Sequence, residues 1–233
     1  MSRTAITEAE IIESIADIWE LLTEEQQATL EKNLTIQSYK KNEMIYCEGE
    51  TPTHLSFLLR GKVKIYIDGV SGRTQIIRVI KPFEYFAYRA YFSGGEYVTA
   101  AAAFEPSVIC HIPMDIINQM VSENNKLALF FIHQLATDLG IADQRTVNLT
   151  QKHIRGRLAE ALLFLKDTYG VEDDGCTLSI YLSREDLANL SNMTTSNAIR
   201  TLSIFSNENL VIIDGRKIKL MNEDKLRKIS RLG

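Results

Sequence analysis

The sequence predicts an α+β chain in three parts: a sandwich or jelly-roll barrel of short strands, one long helix, and a helix-turn-helix followed by a two-stranded wing. Three observations predict it. Short β-rich runs crowd the span from Ile36 to Ile112, an uninterrupted helical pattern runs from Ser122 to Asn148, and the stretch from Ser183 to Asn222 carries two helix caps and a hairpin signal.

Taken in order, Ile11 to Asn33 reads as two short helices, with Ile15, Ile18, Trp19, Leu22 and Leu30 on a buried face. Thr23-Glu24-Glu25-Gln26 is a capping-box start for the second. The runs MIYC, LSFLL, VKIYI, TQIIRVI and VICHI follow, punctuated by Gly49, Gly61, Gly69, Gly72 and Gly94-Gly95, which is the rhythm of a sandwich or jelly roll. The long helix then carries Ile132, Leu135, Leu139, Ala142, Thr146 and Leu149 at alternating spacings of three and four, a seam fit for a sister helix. A second stripe, Leu127, Phe130, Phe131 and Ile141, remains to face the barrel of the same chain. Two stripes predict two partners, and hence a parallel homodimer.

In the last part, Ser183 and Asp186 cap a first helix whose inner face is Leu187 and Leu190, with Arg184 beside the cap. Asn192 supplies the left-handed residue of a tight turn, Met193 fills the corner, and Thr194 caps a second helix. Ala198, Thr201, Leu202 and Phe205 face inward there, leaving Thr195, Ser196, Asn197 and Arg200 outward. Those types reach base edges and phosphates in a major groove, and arginine forks onto guanine. The strands Leu210 to Ile213 and Lys217 to Met221 flank Asp214-Gly215, setting Arg216, Lys217 and Lys219 where a wing grips phosphate.

Composition agrees with a soluble two-domain protein, 45% hydrophobic and 24% charged. The net charge of -4 hides an asymmetry: residues 1–150 carry 13 basic against 19 acidic side chains, and residues 151–233 carry 13 against 11, so the C-terminal part is mildly basic. No apolar leader opens MSRTAITEAE and no apolar run reaches a spanning length, so a cytoplasmic protein without membrane contact is expected. Cys47, Cys110 and Cys176 are too scattered for a disulfide framework or a local metal-ligand pair.

From Ile36 to Met221 the chain resembles the Crp/Fnr family of bacterial transcription regulators. The resemblance rests on LSREDLANLSNMTTSNAIRTL, on the Gly156-Arg157-Leu158-Ala159 entry to the last domain, and on Glu48-Gly49-Glu50 leading into FLLRGKVKIYI. It implies a jelly-roll β-barrel of cyclic-nucleotide-binding type with N-terminal helices over 1–121, a dimerisation helix over 122–150, and a winged helix-turn-helix over 151–233. It also implies sequence-specific binding of duplex DNA by a homodimer on a near-palindromic operator. An activator of this kind would add RNA polymerase as a partner, but no sequence pattern marks a surface for it.

The resemblance breaks down at the effector. Relatives that bind cyclic AMP use a Gly-Glu-Leu helix start and an Arg-Ser/Thr-Ala segment, an acid for the ribose and an arginine for the phosphate. The matching residues here are Ala87-Tyr88-Arg89 and Val98-Thr99-Ala100, and Ala142 with Asp143 replaces the hydroxyls that contact the base. Each missing charge-assisted bond is worth about 1.5 to 3 kcal/mol, so cyclic AMP in its usual pose is not expected. A small anion held by Tyr85, Tyr88, Arg89, Thr99 and Asp143 is one alternative, and a regulator with no effector, its pocket filled by tyrosines, is another. Cys110 matches one cluster ligand of Fnr-type proteins, but residues 1–46 contain no cysteine, which excludes a 4Fe-4S cluster of that type. His54, His111, His133 and His153 leave a haem-sensing regulator as a further alternative, without diagnostic spacing. No cofactor or metal is predicted. No phosphate loop, nucleophile elbow or converging His set suggests an enzyme. A protein-interaction module that has lost DNA binding is the remote alternative, against which Thr195, Ser196 and Arg200 speak.

Overall fold

The computed structural model describes residues 8–69 and 74–232. Gly72, expected to punctuate a turn, lies outside them. The chain divides into two compact units, Met1–Ile67 with Arg78–Leu139, and Asp68–Ile77 with Gly140–Gly233.

Among the described residues, the first unit opens with three helices rather than the two expected, α1 (Glu8–Ser14), α2 (Ala16–Trp19) and α3 (Glu24–Asn33). The first apolar stretch breaks at Ile15, whose φ of -105° and ψ of 22° end one helix and cap the next. The capping box on α3 is present as read, with Thr23 Oγ1 accepting from Gln26 N and Gln26 Oε1 accepting from Thr23 N.

Eight described strands follow: β1 (Thr35–Tyr39), β2 (Met44–Tyr46), β3 (His54–Arg60), β4 (Val63–Asp68), β5 (Thr74–Ile80), β6 (Tyr85–Phe86), β7 (Ala100–Ala103) and β8 (Ser107–Pro113), with α4 (Arg89–Phe92) between β6 and β7. They form two four-stranded sheets, ordered β1-β8-β3-β6 and β2-β7-β4-β5. The side-chain period of two divides β3 between two cores. Leu58 joins Val63, Ile65, Phe86, Ala101 and Ile109 in one, while Leu55, Phe57 and Leu59 join Cys110 and Ile112 in the other. That second core is closed by Ile11, Ile15, Ile18 and Leu30 of the first helices, by Ile117 and Met120 of α5 (Met114–Glu123), and by Leu127 and Phe131 of the long helix. Two sheets with an interior core and a helical cap on one outer face are the predicted jelly roll. Gly61 closes the β3–β4 turn at φ 94°, where a Cβ would sit 2.7 Å from the backbone of Ser107, so only glycine fits.

The long helix, α6, runs Asn125–Gln151, starting three residues later than expected because Asn124 ends α5 in an extended conformation. Asn124 Oδ1 accepts from the amides of Lys126 and Leu127 and so caps the new start. Leu127 and Phe131 are buried and Phe130 partly so, as the second stripe requires, but Ile141, assigned to that stripe, is exposed.

The second unit contains the end of α6, then α7 (Ile154–Tyr169), α8 (Arg184–Leu190), α9 (Thr195–Asn207), the strands β9 (Val211–Asp214) and β10 (Lys217–Leu220), and α10 (Glu223–Leu232). Its core is Leu158, Leu162, Leu165, Leu187, Ala188, Leu202, Phe205, Leu210 and Leu226. The hairpin loop is Gly215-Arg216, one residue later than read, because Asp214 pairs with Lys217 in the last rung. Gly215 takes φ 55° there, the left-handed conformation that a two-residue hairpin needs at its first position. The wing also has a third rail: Leu178 N donates to Ile218 O at 3.0 Å and Leu220 N to Cys176 O at 2.8 Å. Asp174 holds that rail by accepting from the Thr177 hydroxyl, from the amides of Thr177 and Cys176 and from Lys219 Nζ, and these donors, the hydroxyl foremost, keep its carboxyl far below the usual carboxylate range.

Candidate nucleic-acid interface

The interface is built from two capped helices. Ser183 Oγ accepts from Asp186 N at 2.9 Å and donates to its Oδ2 at 2.7 Å, which places a carboxylate on the positive end of α8. Leu187 and Ala188 are fully buried, and Ala188 O accepts from Met193 N to close the turn. Asn192 adopts φ 50° in that turn. Thr194 Oγ1 accepts from Asn197 N at 3.3 Å and starts α9.

Along α9, Ala198, Thr201, Leu202 and Phe205 are buried. Thr195, Ser196, Ile199, Arg200 and Ser203 are exposed, and Asn197 is half-buried. Asn197 Oδ1 accepts from Arg200 Nη2 at 3.0 Å, which aims the guanidinium along the outer face of the helix. At the other end, Arg155 of α7 grips Glu208 with two bonds of 2.8 Å and lies 5.2 Å from the Phe205 ring. Glu208 stands at the negative end of α9, where its charge is unfavourable alone, and Arg155 offsets it while fixing the angle of the helix. No local pattern in the sequence points to this pair, since its members are 53 residues apart.

Arg184 Nη2 donates to the carbonyl of Gly215 at 2.6 Å, so it ties α8 to the wing tip. Arg216 is exposed at that tip, and Lys217 lies 5.4 Å over the Tyr181 ring with Glu172 at 4.0 Å. A polar helix face, an oriented arginine and a braced basic tip are thus carried on one compact unit.

A model for the cyclic nucleotide-binding domain matches residues 36–124, and a model for the Crp-like helix-turn-helix domain matches residues 156–229. The chain belongs to the Crp/Fnr family of DNA-binding transcription regulators. It is 20% identical over 205 residues to the CRP-like cAMP-activated global transcriptional regulator of Mycobacterium tuberculosis, covering 88% of this chain and 92% of the relative. The fold matches FixK2 of Bradyrhizobium japonicum with a TM-score of 0.77 at 24% identity, over 84% of this chain and 96% of the other. It also matches a CRP-family transcriptional regulator from Thermus thermophilus with a TM-score of 0.72 at 22% identity, over 84% and 96% of the two chains. The family is one of regulators rather than enzymes.

In this Crp/Fnr chain the residues expected around an effector differ in burial and in partners. Tyr88 is buried and packs 5.4 Å from the Phe131 ring. Burial, and next the Asp138 carboxylate, push the Tyr88 phenol up to about 12. Asp138 also takes a 2.5 Å ion pair from Arg78, a partner that no local sequence pattern announces. Tyr85 is buried and donates to Asp17 Oδ1 at 2.7 Å. Arg89 and Asp143 are exposed, Val98 is exposed, and Thr99 is half-buried within 3.5 Å of the Tyr46 hydroxyl. Ala87 takes a left-handed φ of 71°, a conformation that favours glycine, at the position where the resemblance places the glycine of the cyclic-AMP motif.

Among the histidines, His111 has both ring nitrogens in hydrogen bonds, to Tyr39 Oη at 2.9 Å and Ser56 Oγ at 3.0 Å. Burial, and next the neighbouring His54, lower it to about 4. A haem iron would have to displace one of those bonds. No group of three or more metal-ligating side chains converges among the described residues, and no described helix is long and apolar enough to cross a membrane. On α6, Ile132, Leu139, Ala142 and Thr146 are exposed, while Leu135 and Leu149 are half-buried.

Proposed function

We propose that this regulator binds a near-palindromic operator as a homodimer, and does so without cyclic AMP in the usual pose. The observation that carries the reading is the outer face of α9, where Thr195, Ser196 and Arg200 are exposed and Asn197 orients the arginine. These groups meet base edges in the major groove, while Ser183, Thr194, Arg216 and Lys217 meet phosphates. Arg184 acts through the wing tip that it holds. The exposed seam of Ile132, Leu139, Ala142 and Thr146 supports pairing with a sister helix, which sets two recognition helices about one DNA turn apart. We assign residues 1–121 to the effector-type domain, 122–150 to the dimerisation helix and 151–233 to the DNA-binding domain of a cytoplasmic protein.

Tyr88 supports the second half of the proposal. Its buried ring packs on Phe131, so a side chain fills the position where the resemblance places the acid that holds the ribose. An effector-independent regulator is therefore favoured over one with a small anion at Arg89 or a haem at His111.

The test is selection of random duplex DNA by the purified protein at physiological salt with no ligand added. One recovered inverted repeat is expected, and Arg200→Ala should then lose about 1 to 3 kcal/mol of discrimination at one symmetric base pair. An unchanged base preference for the variant would overturn the assignment of Arg200. Recovery of nothing by a folded protein would overturn effector-independent binding.

A further inference from the structure

We infer that Ile199 reads the 5-methyl group of a thymine in each half-site, an inference that rests on the proposed binding mode. Ile199 is 47% exposed in a recognition helix whose inner face is completed by Ala198, Thr201, Leu202 and Phe205. It stands four residues after Thr195 and three after Ser196, one turn of the same face, and adjoins Arg200. The core does not need it. Isoleucine is also a weaker helix former than alanine, lysine or glutamine, so helix stability gives no reason for it at an exposed position.

Recognition does give a reason. The largest apolar feature that a base pair presents in the major groove is the thymine methyl, and most other groups there donate or accept hydrogen bonds. An isoleucine side chain makes no hydrogen bond and gains most from that methyl. Its β-branch restricts it to one dominant rotamer in a helix, so its methyl groups are delivered with little loss of freedom. The neighbouring polar groups are already assigned: Ser203 Oγ donates back to the Ile199 carbonyl at 3.0 Å, and Arg200 is aimed by Asn197. The half-site is therefore expected to place a thymine beside the base pair read by Arg200.

The test uses the full-length protein and the inverted repeat recovered by selection, with each thymine pair replaced in turn by deoxyuridine, which removes the methyl and nothing else. At one symmetric position, replacement should weaken the wild type about fourfold in one half-site and about fifteen-fold in both. Ile199→Ala should bind the thymine operator as weakly as the wild type binds the deoxyuridine one, and should be indifferent to the replacement. Ile199→Val should keep part of the effect. The alanine variant folds, because alanine is the better helix former. A wild type indifferent to deoxyuridine at every position, or an alanine variant with the full penalty, overturns the role of Ile199 while leaving the operator reading intact. Failure of the folded wild type to select any repeat overturns effector-independent operator binding, the reading on which the role of Ile199 rests.

Discussion

Replacing Leu139 by alanine should weaken the proposed dimer and leave the fold of each chain almost untouched. Leu139 lies in the middle of the α6 seam and is 63% exposed in the single chain, so its truncation removes little from the intramolecular core. Complete burial of a leucine side chain is worth about 1.5 to 3 kcal/mol, and most of that is lost on truncation to alanine. Scaled by the exposed fraction and counted once per copy, the dimer loses about 2 to 3 kcal/mol, a rise of about 30- to 150-fold in its dissociation constant. Sedimentation equilibrium across a dilution series measures this directly. Ile141→Ala is the control: Ile141 is also exposed, but two residues along a helix turns it about 200° away from Leu139. Its removal should move the constant less than twofold. If Leu139→Ala leaves the constant unchanged, or if Ile141→Ala weakens the dimer equally, the seam is misassigned.

Three further outcomes are expected. The Arg78 to Asp138 pair has side chains 20% and 10% exposed, between the buried and surface regimes, and a double-mutant cycle of Arg78→Ala with Asp138→Asn should give a coupling of about 2 kcal/mol in denaturant unfolding; additive losses would refute it. His111 has a folded pKa lowered to about 4 from 6.5, so the unfolded chain binds the proton more readily. The stability it contributes is present above pH 6.5 and is lost as pH falls through 4, about 3 kcal/mol in all, and His111→Gln should flatten that part of the pH profile. Lys217→Ala should weaken every duplex alike and lower the slope of log affinity against log salt by about 1, and a change in base preference would contradict its assignment to phosphate.

The parts of the fold legible in the sequence are those fixed within a few residues of chain. Thr23 with Gln26, Ser183 with Asp186, Asn192 and Thr194 act on their own neighbours, and each stands in its expected cap or turn. Errors arise where two local solutions are equally good. Asp214-Gly215 and Gly215-Arg216 both offer a two-residue loop with a glycine, and only the register of β9 with β10 decides between them. Ile141 fits the spacing of the second stripe, but spacing does not say where the surface that receives a stripe ends. The strand β7 is four alanines, poor strand formers, and forms because β2 and β4 pair with it on either side. Ile199 escapes sequence reading for the same reason, since an isoleucine among leucine and phenylalanine at helical spacing reads as core until burial is known.

At the effector region, loss of the acid at Tyr88 and of the arginine at Val98 removes two ligand contacts, but the sequence alone leaves open whether an empty pocket, a new ligand or a filled space results. Geometry favours the filled space. Tyr88 brings an aromatic ring onto Phe131 of α6, and Arg78 of β5 pairs with Asp138 further along the same helix. Side chains from the turn after β6, from β5 and from α6 therefore link roll and helix within one chain. Such a link is present at every ligand concentration, so on the proposed effector-independent reading control would rest on the amount of the protein itself.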